Sequence, residues 1–76
     1  MPDNNIRNII TDVIKEKEAL QSISDEQDFF EQGASSLTVV DLQLRIEELL
    51  GKTVDTAKLL LEPNINGWVA AYSNDE

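Results

Sequence analysis

Two adjacent serines, Ser35 and Ser36, stand in "DFFEQGASSLTVV", residues 28–40, just after Gly33 and just before an apolar run. A serine hydroxyl becomes a nucleophile when a neighbouring base takes its proton, and that base is usually an imidazole. The chain has no histidine and no cysteine. Ser-His and Cys-His pairs are therefore excluded, as are the usual zinc constellations and any disulfide framework. No glycine-rich phosphate loop is present, and no pair of carboxylates is placed by more than chance. No catalytic and no metal-ligating residues are assigned. The serines have a different use at a helix start. Ser35 reads as the N-cap, its hydroxyl accepting from an N–H two or three positions on. Ser36 then falls at the first helical position, beside free backbone N–H groups at the positive end of the helix. That place favours a phosphate, so a phosphate ester on Ser36 suits the local electrostatics with no base nearby. Two capping serines would account for the pair without any chemistry. One cap accounts for Ser35 and leaves Ser36 unexplained.

The elements that must position the pair follow from periodicity. Residues 4–17 carry Ile6, Ile9, Ile10, Val13 and Ile14, the stripe of an amphipathic helix, with Asp3 or Asn4 able to cap it. Residues 18–35 show no sustained period and read as a long loop, pinned by Leu20, Ile23, Phe29 and Phe30. Loops of that length in a small domain are often functional. Asp28 can cap a single turn beneath the phenylalanines, and Gly33 supplies a turn. Residues 36–50 form the strongest helix, closed by Gly51 as a C′ residue. Val39, Leu42, Ile46, Leu49 and Leu50 form its expected core face. Leu37, Val40 and Leu44 lie together on a neighbouring face, so the helix carries more apolar surface than one core needs. Asp55 can cap a short helix over 56–61, with Val54 tucked inward before it. Pro63 ends that helix and Asn64 can cap a last one over 65–72, with Ile65, Trp68, Val69 and Tyr72 inward. Gly67 within it is a mild conflict of up to about 1 kcal/mol relative to alanine. Lys52 and Lys58 read as solvated. The expected fold is all-α: a small four-helix bundle of three longer helices and one short one, in a single domain over 1–76.

Composition limits the partners. Fifteen acidic residues face six basic ones, for a net charge of −9. That repels nucleic acid and anionic membrane surfaces and favours basic partner proteins through steered association. No apolar run is long enough to span a membrane, and "MPDNNIRN" lacks the regions of a signal peptide. The expectation is a cytoplasmic, soluble monomer.

"DFFEQGASSL" resembles the signature of the acyl carrier and peptidyl carrier proteins. In that family D-F-F is followed by G-x-D-S-L or G-x-H-S-L, and the serine before the leucine receives phosphopantetheine from coenzyme A. Gly33, Ser36 and Leu37 match, with Asp28, Phe29 and Phe30 at the expected distance upstream. "VVDLQLRIEELLGKTV" resembles the family's second helix and the loop after it. "TAKLLLEPNINGWVAAYS" resembles the ending common in polyketide and peptide synthase carriers. One position departs from the pattern, since Ser35 stands where Asp or His is usual; it can still cap the helix, but a charge near the arm is lost.

The resemblance implies that Ser36 carries covalent 4'-phosphopantetheine and performs no catalysis. A phosphopantetheinyl transferase supplies the chemistry, and the arm's own thiol holds acyl or aminoacyl intermediates as thioesters. A loading enzyme and downstream synthase or tailoring enzymes follow as partners. The second helix meets them, through Leu37, Val40, Asp41, Leu44, Glu47 and Glu48, with Arg45 interrupting the acidic face. The expected setting is a free-standing carrier in polyketide, nonribosomal peptide or related specialised biosynthesis. The alternative is a cofactor-free acidic helical adaptor, or a degenerate carrier, that uses the same helix face without Ser36. On the residues alone, Asp41, Glu47 and Glu48 read as a solvated helix face rather than a partner face, and Trp68 reads as core.

Overall fold

The computed structural model describes residues 2–73, with side chains described from residue 5 onward. Four α-helices follow one another: α1 (Pro2–Ile14), α2 (Ser36–Leu50), α3 (Thr56–Leu61) and α4 (Ile65–Ser73). No strand occurs among the described residues. Helix α1 packs along both α2 and α4, and α3 packs against α4. The fold is a small all-helical bundle of three longer helices and one short one. No helix among the described residues is long and apolar enough to cross a membrane.

Helix α1 buries Ile6, Ile10, Val13 and Ile14, with Ile9 half-buried. It ends at Ile14, three residues before the expected boundary. Beyond Ile14 the N–H groups of Glu16 and Lys17 turn back to the carbonyls of Val13 and Ile14, three residues away. That tightening closes a helix whose next residues, Lys15 to Glu18, offer nothing apolar to the core. Helix α1 also starts earlier than expected, at Pro2, so Asp3 and Asn4 lie inside the helix rather than capping it.

The segment 18–35 is an ordered connection containing two short 3₁₀ turns, Glu18–Leu20 and Phe30–Gln32. Leu20, Ile23 and Phe29 are buried, and the ring of Phe29 meets Trp68 edge-on at 5.0 Å. Phe30, expected to help pin the loop, is instead exposed. Main-chain bonds fix the segment across the bundle. Phe29 N donates to Pro63 O at 2.8 Å, and Asn66 N donates to Asp25 O at 3.1 Å. Arg7 of α1 adds an ion pair to Asp25 at 2.8 Å.

The core is one cluster centred on the fully buried Trp68, Tyr72 and Phe29, with Ile10, Ile14, Leu20, Leu42, Ile46, Leu59 and Ile65 around them. Trp68 Nε1 donates to Leu59 O at 3.1 Å, which satisfies the one polar atom of the indole and ties α4 to α3. Asn64 caps α4, its Oδ1 accepting from Gly67 N at 2.6 Å. Asp55 precedes α3 in extended conformation, but its side chain makes no capping bond. On α2 the inward row is Val39, Leu42, Gln43 and Ile46, with Leu50 partly buried. Leu49 does not join it and is 54% exposed. One residue is a 100° rotation on a helix, so Leu49 and Leu50 cannot share a narrow stripe, and Gln43 occupies the inward position instead.

Candidate functional site

Ser36 is held at the start of α2 by a local series of bonds. Asp28 Oδ1 accepts from Phe30 N at 2.7 Å and from Glu31 N at 3.3 Å, which closes the turn over Phe30–Gln32. Gln32 N and Ala34 N both donate to Phe29 O, so the chain folds back over the buried Phe29. Gly33 ends that turn at φ 106°, a left-handed conformation that glycine adopts without strain. Ala34 is buried, and Ser35 takes up the extended conformation of an N-cap. Ser35 Oγ accepts from Thr38 N at 3.3 Å, and Ser35 O accepts from Val39 N at 3.0 Å. The capping role read for Ser35 is the one observed.

Ser36 occupies the first position of α2 and is exposed. The cap bond to Thr38 engages the Ser35 hydroxyl, and among the described residues no bond engages that of Ser36. The first turn of α2 holds no acidic residue. The positive end of the helix dipole therefore meets no side-chain carboxylate there, and it favours an anion beside Ser36.

Beyond Ser36 the exposed side of α2 carries Leu37, Val40 and Leu44, with Leu37 at 81% and Leu44 at 62% exposure. Asp41, Arg45 and Glu48 lie alongside and are also exposed. Asp41 is already paired with Lys17, from the turn after α1. Arg45 reaches Glu16 at 3.5 Å. Both pairs are exposed, so each holds weakly and is open to exchange. Glu48 has no ion-pair partner among the described residues.

A family model described as the phosphopantetheine attachment site matches residues 4–72. The chain belongs to that family. Neither curated proteins nor solved structures give a match. The family's domain is where 4'-phosphopantetheine is attached covalently, and its members are generally non-catalytic carriers that work with phosphopantetheinyl transferases and biosynthetic enzymes. The residues at the head of α2 fit the group: an exposed, unengaged hydroxyl, an adjacent cap that fixes it, and a helix end that favours the phosphodiester.

The carrier's expected partner face needs one correction. Glu47 was expected to meet partner enzymes, but its carboxylate turns inward. Its Oε2 accepts from Gln43 Nε2, Val54 N and Tyr72 Oη, each at 3.1 Å. Three donors on one oxygen hold the carboxylate to the bundle, so a partner would compete with bonds it already makes. Burial, the Glu47 charge and the hydrogen bond together push the Tyr72 hydroxyl well above the usual tyrosine range. Lys52, read as solvated, is half-buried and donates to Tyr72 O at 3.0 Å.

Two residues were missed altogether. Lys17 pairs with Asp41 from 24 residues away, a separation no helical period reports. Gln43 is buried; its Oε1 accepts from Thr56 Oγ1 at 2.8 Å and its Nε2 donates to Val54 O at 3.1 Å. The sequence did carry a sign of it, since Gln43 lies four residues after Val39 and three before Ile46, on the inward period.

Proposed function

We propose that Ser36 is the residue that receives phosphopantetheine, and that residues 1–76 act as one carrier domain in polyketide, nonribosomal peptide or related specialised biosynthesis. The single observation that carries the assignment is the exposed, unengaged Ser36 hydroxyl at the first position of α2, in a chain of the phosphopantetheine attachment family. In the loading step a transferase base takes the Ser36 proton, and Oγ bonds to the coenzyme A phosphorus that bears the pantetheine. The bond from that phosphorus to the other half of the pyrophosphate breaks, and the adenosine bisphosphate leaves. The arm's thiol then carries acyl or aminoacyl groups as thioesters between a loading enzyme and downstream synthase or tailoring enzymes. The closing segment, residues 56–73, supports specialised rather than primary fatty acid synthesis through its resemblance to synthase carriers.

Leu37, Val40, Asp41, Leu44 and Glu48 form the docking face in this reading. The apolar members give short-range contact, and Glu48 and Asp41 meet basic groups. The test is the intact mass of the purified protein after incubation with coenzyme A and a broad-specificity phosphopantetheinyl transferase, beside a Ser36→Ala control. The expected result is a gain of one phosphopantetheine in the native chain and none in the variant. A gain in the variant moves the attachment to Ser35. No gain in the folded native chain favours the adaptor reading.

A further inference from the structure

Asn66 and Gly67 stand side by side in the first turn of α4, the chain's one Asn-Gly pair. Such a pair can react with itself. The peptide nitrogen that follows an asparagine can attack the asparagine carboxamide carbon, and glycine, having no Cβ, hinders that attack least. The electrophile is open. Asn66 is exposed, and its carboxamide makes no hydrogen bond among the described residues. The nucleophile is held. Gly67 N donates to Asn64 Oδ1 at 2.6 Å. Gly67 is buried, and Glu62 packs on it so closely that an added Cβ would stand 2.5 Å from Glu62 Cβ and Glu62 O. On either side, Asn66 N donates to Asp25 O at 3.1 Å and Trp68 N to Asn64 O at 3.0 Å. In a helical turn the Gly67 N–H points along the axis toward the helix start, whereas the Asn66 side chain leaves the helix sideways. Attack therefore requires the first turn of α4 to open.

We propose that Asn66–Gly67 is a self-modification site kept latent by the Asn64 cap, and that its conversion loosens the loop leading to Ser36. In the opened turn Gly67 N gives its proton to hydroxide and bonds to Asn66 Cγ. The Cγ–Nδ2 bond breaks, and ammonia leaves with a proton drawn from water, which restores the hydroxide. The product is a five-membered imide. Water then adds to one of its two carbonyls and the C–N bond there breaks, giving aspartate or isoaspartate. Isoaspartate routes the main chain through the former side chain and adds one atom between residues 66 and 67. The bonds from Gly67 N to Asn64 Oδ1 and from Trp68 N to Asn64 O both span that point, so the first turn cannot re-form as it was. The loop 18–35 is anchored at the same place. Asn66 N holds Asp25 O, Pro63 O accepts from Phe29 N, and the Phe29 ring meets Trp68. Phe29 O in turn accepts from Gln32 N and Ala34 N, in the turn that delivers Ser36 to the head of α2. The effect on Ser36 rests on the carrier reading above; the modification itself does not.

The test incubates the native chain, Asn64→Ala, Asn64→Ser and Asn66→Ala in mildly alkaline buffer, with the native chain unfolded in guanidinium chloride as the reference. Peptide mapping with electron-transfer fragmentation follows aspartate and isoaspartate at residue 66. The folded native chain is expected to convert at least about tenfold more slowly than the unfolded chain, because conversion waits on local opening. Asn64→Ala is expected to convert about fivefold faster than the native chain, the factor set by a typical lost cap. Asn64→Ser keeps a capping acceptor and should stay near the native rate, and Asn66→Ala should form neither product at residue 66. Equal rates in the native chain and Asn64→Ala, or in the folded and unfolded native chain, would overturn the proposal. If Asn64→Ala does not fold, conversion and hydrogen exchange at Gly67 N are compared in the native chain at rising low denaturant. The two should rise by the same factor, and conversion that ignores the exchange rate would overturn the gating. The fresh native chain and its isoaspartate fraction are then loaded from coenzyme A by a broad-specificity transferase. The isoaspartate fraction is expected to load more slowly, and equal loading would overturn the link to Ser36. No loading of either would overturn the carrier reading and leave the modification, read by mapping, in place.

Discussion

Gly67 lies where α4 crosses the residue that follows α3. A Cβ added there would stand 2.5 Å from both Glu62 Cβ and Glu62 O. One of those atoms is backbone, so relief requires the turn around Pro63 to shift, and that turn also accepts the Phe29 N–H that anchors the loop. Alanine would gain up to about 1 kcal/mol of helix propensity, but overpacking of this kind costs typically about 1–3 kcal/mol. Gly67→Ala is expected to destabilise the fold on balance, by about 1 kcal/mol, read as a lowered urea midpoint and a fall of several degrees in the thermal midpoint. The glycine that reads in sequence as a defect of α4 is the residue that lets α3 and α4 meet. No periodicity could reveal that, because the obstacle lies on another element. The Ser35 cap and the Gly51 terminator were legible for the opposite reason. A cap is satisfied within three or four residues, as by Thr38 N for Ser35 and Glu47 O for Gly51, so its chemistry is complete inside a short window.

Among the elements, the least legible feature is the polar junction where α2, the connection 51–55 and α4 converge. Glu47 reads as one more acid on a solvated helix face. Its inward turn is decided by Val54 N, seven residues on, and by Tyr72, 25 residues on. Tyr72 titrates against that junction, and the sign of the effect is definite. Its folded-state pKa is raised above the usual value of 10.0, first by burial and then by Glu47. In alkali the native state therefore keeps a proton that the unfolded state has lost. The stabilisation is complete below about pH 10 and declines above it, by up to about 1.4 kcal/mol per pH unit. Tyr72→Phe should cost roughly 1–2 kcal/mol near neutral pH, because Glu47 loses a donor. The native chain should then lose stability faster than the variant above about pH 10, so the gap between them narrows toward about pH 11. Urea midpoints of the two proteins across that range measure it. A constant gap would show that the Tyr72 hydroxyl is not raised above its usual range. The helices themselves were easier to read, since α2, α3 and α4 are set by apolar spacing and nearby breakers. The end of α1 was not, because the last turn is decided by what the core no longer receives.

Across the whole molecule, a net charge of −9 is distributed in a way that separates two acids of the α2 face. The chain uses its own cations on its acids: Arg7 holds Asp25, Lys17 holds Asp41 and Arg45 holds Glu16. A basic partner that approaches Asp41 must displace Lys17, so its net gain is the difference between two exposed pairs, which is small. Glu48 has no such partner among the described residues, which leaves its charge open to a partner protein. Steering by the global field and docking at the face then predict different responses. The association rate with a phosphopantetheinyl transferase should fall as ionic strength rises, because exposed charges are screened over a Debye length of about 10 Å at 0.1 M salt. Glu48→Gln should lower that rate by about fivefold at low salt, the equivalent of about 1 kcal/mol for one charge pair at contact in water. It should also flatten the salt dependence, whereas Asp41→Asn should change both by less, since it frees Lys17 as it removes a carboxylate. Stopped-flow association of the native chain and each variant over a range of salt decides the point. Equal effects of the two substitutions would mean that net charge alone steers the encounter. A larger effect of Glu48→Gln would place recognition at the lower half of α2, where Leu44 and Glu48 share the exposed side.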